Sequence, residues 1–249
     1  MKDDHAEGRV DHAIIVACHA VYRGDLDRDP LDAHYWSLFD YQRGEAGLYM
    51  EHIRAGVMLA SDSTDALLVF SGGQTRLSAG PFAEAAGYWT AAAAMNWWGT
   101  DDVRQRAHTE EYARDSFENI LFSICRFKEI TGMFPLRLSV ISWGFKSRRF
   151  EYHRKTLDFP AAGFNYIGVN DPGDLTTALR GEEKVLAEFE RDPYGVAASG
   201  TGVGSLATKR RQRNPFNRAH PYAGSCPELA GLFEYRGVTP FTDPLPWRR

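Results

Sequence analysis

The sequence predicts an α/β protein, a three-layer Rossmann-like sandwich built on a mostly parallel sheet, and three observations predict it. Short apolar runs of strand length alternate with longer segments of helical period. Parallel strands need such crossovers, and the crossover helices then cover both faces of the sheet. The first run, His12-Ala-Ile-Ile-Val-Ala-Cys18, is apolar throughout, as expected of a strand buried on both sides. Finally, 249 residues with 43% hydrophobic and 25% charged side chains suit one globular domain with a sizeable core.

The elements follow in order. Residues 1–11 form a polar tail, and the first strand ends at Cys18-His19. Val21 to Arg43 mixes Arg, Asp, Pro and aromatics without period and reads as a long excursion, a kind of segment that often carries function. From Glu45 to Ala60, the residues Ala46, Tyr49, Ile53, Gly56, Val57 and Ala60 recur at helical spacing, with Glu51 and Arg54 opposite. Ala66 to Phe70 is the second strand, broken by Ser71-Gly72-Gly73. A helix starts near Pro81 and carries Glu84, Ala85 and the alanines 91 to 94. A further helix is expected from about Thr109 to Ile130, stopped by Gly132 and Pro135 ahead of the strand Leu136 to Ser142. Then come a helix from Lys146 to about Leu157, a short strand Asn165 to Val169 and a helix Asp174 to Phe189. The α/β domain is thus placed at 12–194. The Gly-rich stretch GVAASGTGVG opens an irregular C-terminal extension, 195–249, packed on that domain.

Composition removes several functional classes. A net charge of -4 gives no global reason to bind nucleic acid or an anionic membrane. The three cysteines, Cys18, Cys125 and Cys226, show no zinc spacing and fit reduced thiols. The N-terminus is charged where a signal peptide needs an apolar core, and no run approaches the ~20 apolar residues of a membrane helix. The expected location is the cytoplasm, with no membrane partner. No GxGxxG follows the first strand and no GxxxxGK[ST] occurs, so neither the dinucleotide nor the Walker fingerprint is present.

In open parallel sheets, ligands bind beyond the carboxyl ends of the strands. The candidates are therefore His19 after the first strand, Ser71, Gly72, Gly73 and Gln74 after the second, and Ser142, Lys146 and Arg149 after the third. Ser116 and Asn119 are three apart and adjacent on a helix surface. The two glycines can expose backbone N–H groups to an anion.

These blocks occur in a recognisable order: Phe70-Ser71-Gly72-Gly73, then Glu84-Ala85, then Glu110 with Ala113, Ser116 and Asn119, then Ile141-Ser142 with Lys146 and Arg149. Over residues 12 to 170 the order and spacing resemble the YdcF-like family, a domain of unknown function that includes SanA- and ElyC-type proteins. Ala113 stands where that family often has Ser, and Lys146 where it usually has His. A lysine there acts as an anion clamp unless burial lowers its pKa, so proton shuttling is not carried over to this position. The excursion and the C-terminal RNPFNRAHPY stretch look like a larger, eukaryotic-type branch. The resemblance implies a Rossmann-like domain with a polar pocket at the strand ends. The envelope role of bacterial members is not carried over.

The functional expectation is a pocket for a small anionic ligand, phosphorylated or nucleotide-like, in an enzyme of unassigned reaction. Glu84, Glu110 and His19 are the catalytic candidates, either carboxylate serving as a general base or holding a metal. Ser71, Gly72, Gly73, Gln74, Ser116, Asn119, Ser142, Lys146 and Arg149 are the ligand-binding candidates. No residue set is assigned to a metal, and the cofactor is left open. The alternative is a non-catalytic protein that holds an S-adenosylmethionine-type metabolite in the same pocket. A third reading, nucleic-acid binding through Lys209, Arg210, Arg211, Arg213 and Arg218 with Phe216 and Tyr222 stacking on bases, is disfavoured by the net charge.

Overall fold

Strand β1 (His12–Ala17) is buried along its whole length, and its side chains alternate between two cores. Ala13, Ile15 and Ala17 enter one; Ile14 and Val16 enter the other. That is the period-two pattern of a strand covered on both faces. The computed structural model describes residues 9–196 and 205–248. Residues 1–8 of the polar tail and 197–204 of the Gly-rich stretch therefore lie outside the described residues.

After β1 come a two-residue antiparallel pair, β2 (Val21–Tyr22) and β3 (Trp36–Ser37), helix α1 (Ala46–Ser61) and strand β4 (Ala66–Ser71). Helices α2 (Glu84–Ala94) and α3 (Asp101–Gln105), strand β5 (Ala107–Glu110) and helix α4 (Ser116–Thr131) follow. Strand β6 (Arg137–Ser142), helix α5 (Ser147–Thr156), strand β7 (Phe164–Gly168) and helix α6 (Leu175–Arg191) complete the alternation. Three short helices close the chain: α7 (Leu206–Gln212), α8 (Tyr222–Ser225) and α9 (Ala230–Glu234).

The five strands of the main sheet stand in the order β5-β4-β1-β6-β7, and every pair is parallel. Tyr49, Ile53 and Val57 of α1 pack with Ala85, Tyr88 and Ala91 of α2 on one face. Phe117, Ile120 and Ile124 of α4 pack with Phe150 of α5 and Phe189 of α6 on the other. The protein is thus an α/β three-layer sandwich. The chain walks from β1 through β4 to β5, then returns to place β6 on the other side of β1. That reversal opens a crevice at the carboxyl ends of β1, β4 and β6, the usual ligand position in such sheets.

Two expectations need correction. Residues 107–110 are a strand paired with β4, not the start of a helix, and α4 begins only at Ser116. Asp115 sets that start, because its carboxylate accepts the Glu118 N–H at 3.0 Å. Helix-favouring Glu, Ala and Arg at 110–114 mislead propensity, and pairing along the edge of β4 overrides it. The excursion at 21–43, which shows no period in sequence, contains the β2–β3 pair, with the Trp36 indole donating to the Pro30 carbonyl at 2.8 Å.

The C-terminal region adds no separate core. Leu206, Tyr222, Cys226, Leu229, Leu232, Leu245 and Trp247 join the cluster around α4. Among the described residues, no helix is long and apolar enough to cross a membrane.

Candidate functional site

β4 delivers Ser71-Gly72-Gly73 to the crevice, but both glycine N–H groups are already used. Gly72 donates to the Glu110 carbonyl at 3.0 Å and Gly73 to the Ala113 carbonyl at 2.7 Å. Their own carbonyls accept from Ala85 at 3.0 Å and Glu84 at 3.1 Å, which seats the first turn of α2. The expected anion cradle of free glycine N–H groups is therefore not formed. Glycine is required here for close approach. A Cβ on Gly72 would lie 2.8 Å from the Cys18 Cβ and 2.9 Å from that of Glu84, and one on Gly73 would lie 2.9 Å from the Ala113 carbonyl.

Behind this loop stands a buried polar knot. Ser71 Oγ donates to Glu110 Oε2 at 2.7 Å, and Asn119 Nδ2 donates to the Ser71 carbonyl and hydroxyl at 2.9 Å each. Glu110, 1% exposed, also accepts from the N–H groups of Tyr112 (2.8 Å) and Ala113 (3.3 Å) and from the Tyr222 hydroxyl (3.1 Å). Burial raises its pKa to about 7 against these donors. Glu110 is thus a structural hub with its oxygens engaged, not a group facing ligand, which corrects its expected catalytic role. Tyr222, tied to it and 1% exposed, cannot stack on a base.

A Glu110→Gln variant turns an amide N–H₂ toward donors whichever way the side chain is placed, so it is expected to cost about 1–3 kcal/mol. A carboxyl near 7 holds a proton in the folded chain that the unfolded chain releases near 4.5. The wild type therefore gains stability from Glu110 at acid pH and loses it as pH rises through 7. Urea midpoints between pH 5 and 8 should show this slope in the wild type and lose it in the Gln variant.

In front of the knot lies a cavity of about 640 Å³, within the range of small-molecule sites. Of the sequence candidates, His19, Gly72, Glu84, Ser116, Asn119, Lys146 and Arg149 line it. Ser71, Gly73, Gln74, Glu110 and Ser142 do not. Gln74 turns outward and donates to the Pro81 carbonyl at 2.9 Å, and fully buried Ser142 stands 3.1 Å from His19 Nε2. Burial, helped by Lys146, His52 and nearby arginines, holds His19 well below the ordinary histidine range, so it is neutral at pH 7. Glu84, the first residue of α2 and 7% exposed, accepts from the Thr75 hydroxyl. Among the described residues, no group of three or more His, Cys, Asp or Glu is arranged to hold a metal.

The cavity also has residues that sequence reasoning missed. Arg76 follows the glycine loop and is 5% exposed; its guanidinium donates to the His19 carbonyl at 2.5 Å and to Gln42 Oε1 at 2.9 Å. Its Nε and the other terminal nitrogen have no hydrogen-bond partner. The signal was present as a cation five residues beyond the strand end. His153 of α5 stands behind Ser116, with Nε2 2.8 Å from the Ser116 hydroxyl. Phe117, Phe150 and Phe189 surround its ring, and burial holds its pKa well below the ordinary range. Its spacing of four from Arg149 on one helix was the readable signal.

The charges fall into two groups. Arg149 pairs with Glu182 of α6 at 2.9 Å, and Arg114 pairs with Glu118 at 2.5 Å. Asp115 pairs with Arg210 of α7 at 2.7 Å. Arg76, Lys146 and Arg213 line the same cavity and have no carboxylate within 4.0 Å among the described residues. Lys146 lines this recess, and burial beside Arg149 pushes its ammonium down to about 7.

The basic C-terminal run is consumed within the fold to a large extent. Lys209 pairs with Glu188, Arg210 is buried against α4, and Arg218 lies over the Tyr112 ring at 4.3 Å. Arg213 donates to the Arg114 carbonyl at 3.0 Å, which holds it at the cavity mouth.

The uncharacterized protein YOR238W of Saccharomyces cerevisiae is 27% identical over 265 residues, covering 84% of this chain and 86% of that protein. No family model and no solved structure matches the chain.

Proposed function

We propose that the cavity binds a small phosphorylated metabolite and that the protein is an enzyme acting on it, with Glu84 as the proton-transferring group. The observation that carries this reading is the trio Arg76, Lys146 and Arg213, three cations without carboxylate partners around one cavity at the sheet switch point. Arg76, 5% exposed, is the buried member of the trio; its unpaired buried charge is costly, and an anionic ligand supplies the missing partner. Glu84 is a cavity carboxylate beside the glycine loop, and neutral His19 lines the same cavity at the end of β1. Membership of the YdcF-like family, argued from the motif blocks, belongs to the same proposal. So does a cytoplasmic location, which suits three cysteines that are all free and buried.

Titration calorimetry with inorganic pyrophosphate tests the binding half. Binding is expected in the wild type and a loss of about tenfold or more in Arg76→Met and in Lys146→Met. The sign of the pH effect follows from Lys146: it is charged below about 7 and neutral above, so anion affinity falls as pH rises. Relative to Lys146→Met, wild-type affinity should drop about tenfold or more between pH 6 and 9. Equal affinity and equal pH dependence in the two proteins refutes the lysine's role.

A further inference from the structure

Resting on the phosphorylated-ligand reading, we infer that Phe39 and Tyr41 form a ring-binding subsite and that the ligand is a nucleoside phosphate. Both residues line the cavity, yet they remain 48% and 75% exposed. Two parallel rings open at the rim of a cavity offer flat faces on which a planar ring can stack. Their rings lie 5.6 Å apart at an interplanar angle of 19°, and the Arg76 guanidinium lies 4.0 Å from the centre of the Phe39 ring. The result is a ladder of Arg76, Phe39 and Tyr41, to which one more planar group can be added.

The ladder is held in place. Gln42, 5% exposed, donates to the His19 carbonyl at 2.9 Å and accepts from the Phe39 N–H at 3.1 Å and from Arg76 at 2.9 Å. The strap carrying the two rings is thereby locked to the end of β1 and to the glycine loop. A platform fixed before binding loses little entropy when a base stacks on it. Arg76 joins the two halves of the site: it backs the aromatic pair and belongs to the cation trio that takes phosphate. A sugar phosphate satisfies only the cations; a nucleotide satisfies both.

The test compares inorganic pyrophosphate, ribose 5-phosphate and ADP on the full chain, in the wild type and in Tyr41→Ala. Because Tyr41 is largely exposed, this variant is expected to fold, and its thermal midpoint checks that. In the wild type, ADP should bind about tenfold or more tighter than pyrophosphate or ribose 5-phosphate. In Tyr41→Ala, ADP affinity should fall to the pyrophosphate level, with pyrophosphate affinity unchanged within about twofold. Equal affinity for ADP and pyrophosphate in the wild type overturns the ring subsite and leaves the anion site standing. ADP binding indifferent to Tyr41→Ala also overturns it. No pyrophosphate binding alongside Tyr41-dependent ADP binding sinks the cation reading instead, and binding of none of the three sinks both.

Discussion

Arg210→Met is expected to destabilise the protein by about 3–5 kcal/mol, the cost of stripping one partner from a buried ion pair. Arg210 is 6% exposed, and its Nε lies 2.7 Å from Asp115 and 3.3 Å from Glu118. Its terminal nitrogen also donates to the carbonyls of Tyr194 at 2.6 Å and Gly195 at 3.2 Å. Burial alone would raise Asp115, but the guanidinium overcomes it and holds the carboxyl well below the usual carboxylate range. Methionine fills the space and leaves Asp115 and Glu118 buried without that cation, only Glu118 keeping its pairing with Arg114. Because Asp115 caps α4, the damage spreads to Ser116 and Asn119 on the cavity wall. Arg210→Lys should recover only part of the loss, since one ammonium cannot reach two carboxylates and two carbonyls together. Chemical denaturation measures this directly; a loss under about 1 kcal/mol in Arg210→Met contradicts it.

Glu84→Gln is expected to lower turnover by about 10²–10⁴-fold while leaving pyrophosphate binding intact. Glutamine keeps the shape and still accepts from Thr75, so the α2 terminus and the cavity persist. What it loses is the ability to carry a proton. A panel of phosphate mono- and diesters, assayed with both proteins and paired with pyrophosphate calorimetry, separates the roles. Lost turnover with retained binding identifies the proton carrier. Loss of both together makes Glu84 a structural carboxylate, and unchanged turnover removes it from the chemistry.

The parallel sheet was readable because β1 and β4 announce themselves as near-continuous apolar runs, a consequence of burial on both faces, while β6 was bracketed by the helix stops Gly132 and Pro135 and carries the apolar pair Val140-Ile141. β5 was not readable, since Ala107-His-Thr-Glu110 is a short edge strand whose last side chain is a buried carboxylate. Strand-end logic located four of its eight candidates, His19, Gly72, Lys146 and Arg149, on the cavity wall, because a strand's carboxyl end fixes where the next few residues must go; Glu84, Ser116 and Asn119 reached the same wall from helix spacing and the family resemblance. The expectations that the Gly72 and Gly73 N–H groups are free and that the Glu110 carboxylate faces the cavity differ from the structure for one shared reason. Hydrogen-bond partners drawn from the distant segments 110–113 and 222 decide which N–H and carboxylate groups remain free, and sequence spacing carries no record of them. Arg213 and the Phe39–Tyr41 pair were illegible as site residues on the same ground, since the cavity receives them from the C-terminal region and from the excursion.

The most direct measurement is a crystal structure of the chain with inorganic pyrophosphate. Phosphate oxygens within hydrogen-bond reach of Arg76, Lys146 and Arg213, in the recess in front of Glu84, are the predicted result. Pyrophosphate absent from that recess, or held only on the exposed side of the basic run by Arg211 and its neighbours, contradicts it.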